Sequence, residues 1–490
     1  MGRGTRFEEH SYDDAGRSGS HGVKWNAIAL IGRQSLILVF SVVLARVLGP
    51  QAYGIIAQAS IYIALTTLLL DQGLTAALIS KKSVTRSTAS AATTVNLALA
   101  FALLAVTAVL AAPIATFFAT PELRVVLMVL AGGLVLKAAA IVPRMLLMRQ
   151  MKFTAIAVAD VGGSLAGGAA GVVAAIGGLD YWALVIQLVV SDLFAAAVLV
   201  VAARPPGPSL RLAVLRDDLG FSVRVFFGNF VSFASRNVDN ILIGRFFGAD
   251  ALAYYSLAYR VLLTPVQMVG QVVTRVLFPA IARVSSDVPQ IGALIVRSTS
   301  AIALLAFPAM AFVAVSAPDA VPLILGTAWA PAIPVLQVLA ITGARQAVTS
   351  VNGAVLLGLG LAKTHLRFNI LAAAVQILGM AAGVPWGIFG VATGYTIAGI
   401  ILTPVIFWLQ VKHAGLSWRT QVKALVAPFN ATLAASATYL VLSLSPLDGA
   451  ALLVCGLACG VLVYAGVLWF FYRDDFRRMT REARAIVRGS

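Results

Sequence analysis

Charge is scarce in this chain of 490 residues: Asp, Glu, Lys and Arg make up only 11%, while 60% of residues are apolar. Soluble domains carry about a quarter charged residues, so a soluble globular class is excluded. Cysteine is rarer still. Cys455 and Cys459 lie four apart in one apolar run, which reads as packing on a helix rather than a disulfide or metal site. The four histidines (His10, His21, His365, His413) fall in expected tails or loops, which argues against a buried proton relay or haem site. No Walker A, His-Glu-x-x-His or G-x-S-x-G pattern occurs. The expected outer loops lack paired carboxylates such as Asp-x-Asp or Glu-x-x-Asp, which metal-diphosphate chemistry uses. Neither enzyme activity nor a metal or organic cofactor is expected.

What is abundant is apolar sequence in runs long enough to cross a bilayer. The chain reads as an all-α polytopic membrane protein of about fourteen transmembrane helices. Helices 1 to 6 are expected near 25–48, 53–79, 89–111, 125–148, 153–176 and 181–203. Helices 7 to 12 are expected near 221–247, 252–282, 291–315, 332–357, 368–384 and 389–411, and an appended pair near 423–444 and 450–471. The domain reading is a disordered tail (1–22), an N-lobe (23–204), a linker (205–218), a C-lobe (219–412), the helix pair (413–472) and a basic tail (473–490). The linker follows Arg204-Pro-Pro-Gly-Pro, and the longest outer loop is expected at 316–331. Gly163, Gly167 and Gly171 repeat at four-residue spacing, the pattern that lets helix backbones approach closely. In the last segment, Phe476, Met479, Ala483 and Val487 recur among arginines, as in a basic amphipathic helix on an anionic leaflet.

The 36 Lys and Arg outnumber 19 Asp and Glu, giving a formal charge of +17. Nucleic acid is not implied, because the distribution is that of the positive-inside rule. Arg124 is the single base in the outer loops, ten bases lie within helices, and the rest occupy tails and alternate loops. Both termini are therefore expected in the cytoplasm.

The stretch 235–261 stands out, because Arg236, Asp239, Arg245 and Arg260 interrupt an apolar region. A charge at mid-bilayer costs about 2.5–3.5 kcal/mol even on a lenient scale. Arg46-Val-Leu-Gly49 also reappears as Arg245-Phe-Phe-Gly248, each at a helix end before a short turn. This doubling suggests two parallel repeats. Two pairings would neutralise part of the interior charge: Arg33 with Asp71, and Asp239 with Arg260, at matched depths on adjacent helices. Four interior acids (Asp71, Asp160, Asp192, Asp239) cannot neutralise ten bases, however, and the surplus asks for an anion. Arginine suits phosphate because it stays protonated and offers a planar fork of donors.

Arg46-Val-Leu-Gly-Pro-Gln-Ala-Tyr-Gly54 and Asp71-Gln-Gly-Leu74 resemble the opening of the polysaccharide transporter family, the Wzx-type O-antigen and exopolysaccharide flippases. Asp239-Asn-Ile-Leu-Ile-Gly-Arg-Phe-Phe-Gly248, Tyr254-Tyr255, Pro265 and Phe278-Pro279 are similar to that family's helix 7–8 region. The resemblance spans roughly 25–410. It implies the fold of the multidrug/oligosaccharidyl-lipid/polysaccharide exporter superfamily, with two pseudo-symmetric six-helix lobes. It implies an undecaprenyl-pyrophosphate-linked oligosaccharide as cargo, moved across the bacterial inner membrane by alternating access. Membrane lipids are the surrounding partners, and a polysaccharide polymerase and chain-length machinery are candidate ones. On this reading Arg33, Arg236, Arg260 and Arg345 contact the diphosphate or sugar acids, while Asp71 and Asp239 orient them or couple protons. A cation-coupled multidrug exporter, a lipid II flippase, a non-transporting scaffold and a membrane glycosyltransferase are the rivals.

Overall fold

The computed structural model describes residues 15–71, 85–209, 216–284 and 287–473. Among them the chain is helical throughout, with no strand. The helices are α1 (Ala15–Asp71), α2 (Arg86–Phe118), α3 (Leu123–Arg149), α4 (Phe153–Ile176), α5 (Trp182–Ala203) and α6 (Arg216–Arg283). There follow α7 (Val288–Ile324), α8 (Ala332–Thr349), α9 (Val351–Gly358), α10 (Ala362–Gly383), α11 (Gly387–Ala414), α12 (Trp418–Leu442) and α13 (Gly449–Phe471). Nine stretches among the described residues are long and apolar enough to cross a membrane, so the protein is a multi-pass membrane protein. Two of these, 32–70 and 362–414, each contain two of the expected helices.

α1 and α6 are each two legs joined at one glycine. Gly49 adopts φ 74, ψ −177 and Gly248 adopts φ 82, ψ −170, a backbone region essentially reserved for glycine. Pro50 then opens the second leg of α1 with a ready-made helical φ. The chain reverses at Gly49. Tyr53 donates its hydroxyl to the Ser41 carbonyl at 2.6 Å, although twelve residues of straight helix would separate the two by about 18 Å. A side-chain carbon at Gly244 would sit 3.2 Å from Leu252 Cδ2, where eight straight-helix residues span about 12 Å. The doubled Arg-x-x-Gly sequence is thus a doubled backbone turn.

Packing divides the chain into two units, 1–253 and 254–490. In the first, α4 lies on α5 with almost no side chain between them. A Cβ on Gly163 would come within 2.9 Å of the Ser191 carbonyl oxygen, and one on Gly167 within 2.4 Å of that of Gln187. The four-residue glycine spacing therefore serves close helix packing, as expected. In the second unit α10 and α11 meet the same way, Gly383 against Gly390 and Gly379 against Gly394. The appended pair α12–α13 packs on α7 through Leu304, Ala427, Ala431, Tyr464 and Leu468. The Tyr464 hydroxyl reaches the Leu304 carbonyl at 2.8 Å.

Several boundaries differ from expectation. Residues 15–22, expected as tail, already belong to α1. The outer loop expected at 316–331 is helical as far as Ile324, followed by a 3-10 turn at Thr327–Trp329. Pro318 and Pro322 read as breakers, but tertiary packing overrides them. Ser316, Ala317 and Val321 are buried, and the Asp319 carboxylate accepts the Tyr439 hydroxyl at 2.9 Å. His365 and His413, expected in loops, are helical, in the first turn of α10 and the last of α11. Pro143, Pro308 and Pro404 lie inside continuous helices. The expected amphipathic helix after 475 lies outside the described residues.

Candidate functional site

Among the described residues of the first unit, two sets of interior charges pair. Arg144 on α3 holds Asp160 on α4 with both arms of its guanidinium, Nη2 to Oδ1 at 2.5 Å and Nη1 to Oδ2 at 3.1 Å. Arg33 on α1 approaches the same carboxylate at 3.9 Å. Two guanidiniums therefore share one acid among the described residues. Further along α3, Lys137 pairs with Asp192 of α5 at 3.6 Å. Arg33 was expected beside Asp71, whose side chain lies outside the described residues; among the described carboxylates the one near Arg33 is that of Asp160. α1 packs along α4, which brings the two side chains to one level. The side chains of Asp71 and Arg236 lie outside the described residues.

Asp239 is buried on the first leg region of α6 and accepts the Asn240 backbone N–H at 2.8 Å. It belongs to the first unit, and Arg260, exposed on the second leg of α6, to the second. Arg245 lies over the Phe117 ring at 5.5 Å. Nearby, the two doubled turns touch. A Cβ on Gly54 would fall 2.0 Å from the Ala249 carbonyl oxygen, so only glycine fits there.

The second unit is different, because its sequence has no Asp or Glu between Asp319 and Asp448. Within that stretch α8 turns a polar face toward α11, formed by Thr342, Arg345 and Gln346. The Thr342 and Thr396 hydroxyls share a hydrogen bond at 2.7 Å. Gln346 Nε2 donates to the Tyr395 hydroxyl at 2.8 Å. Beside these two bonds, the Arg345 guanidinium lies against α11 at Gly399. A Cβ at that glycine would be 2.6 Å from Cζ, Nε and Nη2. Arg345 Nε is buried with no hydrogen-bond partner among the described residues. Leaving a buried donor unsatisfied costs about 1–3 kcal/mol, and more for a charged group.

Of the four expected contact arginines, Arg345 has a buried Nε without a hydrogen-bond partner among the described residues, Arg33 lies 3.9 Å from Asp160, and Arg260 is exposed. The sequence reading missed the Arg144–Asp160 and Lys137–Asp192 pairs. Their trace was matched depth: Arg144 sits six residues before the α3–α4 turn and Asp160 about as far after it. It also missed the polar seam, visible as Thr342, Arg345, Gln346 and Thr349 at helical spacing.

The model of a family described as polysaccharide biosynthesis protein matches residues 43–334, more than half of the chain. The chain belongs to this family. It is 26% identical over 417 residues to the lipopolysaccharide biosynthesis protein WzxC of Escherichia coli (strain K12), covering 83% of this chain and 84% of the relative. It is 29% identical over 325 residues to the succinoglycan biosynthesis transport protein ExoT of Rhizobium meliloti (strain 1021), covering 65% of each. Among solved structures, the lipid II flippase MurJ in an inward closed conformation matches with TM-score 0.73 at 15% identity. That match covers 92% of this chain and 99% of MurJ. An inward-facing multidrug resistance MATE transporter matches with TM-score 0.58 at 16% identity, over 80% and 98%. At such identities these structures establish the fold alone, one shared with MurJ and the MATE transporter. The family match stops before Arg345, so the α8–α11 seam is read from its own geometry.

Proposed function

We propose that this polysaccharide biosynthesis family member is a flippase. Its cargo is an undecaprenyl-pyrophosphate-linked oligosaccharide repeat unit, carried from the cytoplasmic to the periplasmic leaflet for exopolysaccharide or lipopolysaccharide synthesis. The observation that carries this reading is Arg345, a guanidinium with an unpartnered Nε in a stretch of sequence empty of acids. A diphosphate supplies the anion that such a group lacks, and Arg33 with its half-share of Asp160 is a second contact. Arg236 and Arg260 complete the set, with Asp71 and Asp239 as orienting or proton-coupled partners. The lobes are 23–204 and 219–412, and they rock to expose the cargo on alternate sides. The protein sits in the bacterial inner membrane with both termini cytoplasmic, transports rather than catalyses, and works beside a polymerase and chain-length machinery.

A cation-coupled drug exporter would favour an acidic or aromatic lining, which the second unit's acid-free stretch does not offer. The MurJ likeness prompts lipid II as a second cargo. Export of polysaccharide by a strain relying on this gene tests the reading. Arg345→Gln is expected to abolish export while protein still reaches the membrane, and undiminished export by that variant would refute the assignment. Proteoliposomes loaded with either lipid-linked oligosaccharide or lipid II separate the two cargoes.

A further inference from the structure

We propose that a groove at the start of α12 is a binding site for an anionic glycerophospholipid, distinct from the cargo route. The groove has a volume of about 670 Å³ and lies between α7, α12 and Tyr472, just beyond α13. Val296, Val422, Val426 and Ala427 make its walls apolar. Arg419 and Lys423 stand on its rim, four residues apart and hence one above the other on the helix. Among the described residues neither takes part in an ion pair and no acid lines the groove.

The groove follows α12 from Trp418 to Ala427, nine residues or about 14 Å of helix, close to the roughly 15 Å of half a hydrocarbon core. Tyr472, whose hydroxyl accepts from Asn430 Nδ2 at 2.8 Å, also lines it. Trp418, packed edge-on against Phe407 at 5.8 Å, sits at the cationic end, where interfacial tryptophans belong. Lys412 lies over the Trp408 ring nearby, at 5.0 Å. An acyl chain suits the trough and a phosphate without a counter-cation suits the rim.

Charge selects this occupant over its rivals. A zwitterionic lipid brings its own cation toward Arg419 and Lys423. Residues 474–490 carry five arginines against three acids, so a net anionic occupant is the better complement to Arg419 and Lys423.

Native mass spectrometry of the full chain, released from vesicles of equimolar phosphatidylglycerol and phosphatidylcholine, tests the site. Each cation contributes about fivefold near a surface, so phosphatidylglycerol is expected to be retained roughly 30-fold over phosphatidylcholine. Arg419→Gln with Lys423→Gln should bring the ratio to near parity. Ala424→Phe, which fills the groove and keeps both cations, should remove retention without moving the melting temperature. Equal retention of the two lipids by the natural chain, or unchanged retention in the double variant, would overturn the proposal. So would displacement of phosphatidylglycerol by stoichiometric undecaprenyl phosphate, which would assign the groove to the cargo. Export activity is not the readout, so this test stands apart from that of Arg345.

Discussion

Gly399→Ala separates a positioned guanidinium from one that merely fills space. The added methyl would sit 2.6 Å from three guanidinium atoms of Arg345, while ordinary contact begins at 3.4 Å, so the group must retreat by about 0.8 Å. The obstacle is the far end of a flexible side chain, so the fold yields easily. Alanine also gains about 0.5–1 kcal/mol over glycine inside a helix. Net stability should change by no more than about 1 kcal/mol, and melting by a few degrees. Transport should suffer far more. A retreat of about 0.8 Å stretches a 2.9 Å hydrogen bond beyond bonding range, and a bond to a charged group is worth about 1.5–3 kcal/mol. Cargo affinity is therefore expected to fall about 10- to 100-fold, read as binding of lipid-linked oligosaccharide to purified protein alongside thermal melting. The double variant with Arg345→Gln should be no worse than Arg345→Gln alone, since both act through one group. Full affinity in Gly399→Ala, or additive losses in the double variant, would refute the reasoning.

Asp160→Asn should destabilise the first unit by about 2 kcal/mol, because Arg144 and Arg33 lose their common acid. Partial solvent exposure of Arg144 keeps the figure at that level, and thermal melting in detergent reads it. Gly49→Ala and Gly248→Ala should each cost about 1–3 kcal/mol, since alanine does not tolerate either glycine's backbone conformation; equal melting of variants and natural chain would contradict the turn geometry. Gly54→Val meets backbone rather than side chain, so the two turns must part by about 1.4 Å to restore 3.4 Å contact. Thiol labelling at Ala249→Cys, in a background with Cys455 and Cys459 replaced by Ala, should then rise several-fold. Gly167→Leu should prevent α4 from seating on α5 and show as loss of folded protein in size-exclusion chromatography.

The helices were legible because apolar runs and their punctuation are local properties. α4 at Phe153–Ile176 and α5 at Trp182–Ala203 fall where hydropathy alone puts them. The end of α7 was hidden for the opposite reason: a stretch with two prolines and an aspartate stays helical because Tyr439, 120 residues away, accepts the burden of Asp319. Charge partners were half-legible. That acids and bases inside the membrane should pair was readable from composition. Which ones pair depends on helix neighbours, and α1 runs beside α4, so Arg33 meets Asp160. Arg345 was named from its depth alone, and its distinguishing feature, contact with a glycine on another helix, has no trace in the local sequence.

Backbone devices recur along the chain, while its charge pattern does not. A glycine in a glycine-only conformation turns the chain at 49 and again at 248. A glycine-lined crossing closes α4 on α5 and again α10 on α11. The repeated parts are those that shape helices, and any cargo could be served by them. Asp160 and Asp192 pair with Arg144 and Lys137 of α3 in the first unit, whereas the sequence from 320 to 447 gives α8 and α11 no acid and α11 offers hydroxyls and a bare backbone. Function follows site chemistry rather than scaffold, so the discriminating residues should lie where the repeat is broken. An acid placed on α11 beside Arg345 would restore the symmetry of charge. Thr396 is already engaged with Thr342, which leaves Gly399 as the position where Gly399→Asp would both displace and neutralise the guanidinium. Such a chain should fold and insert yet bind a diphosphate lipid no better than a neutral one.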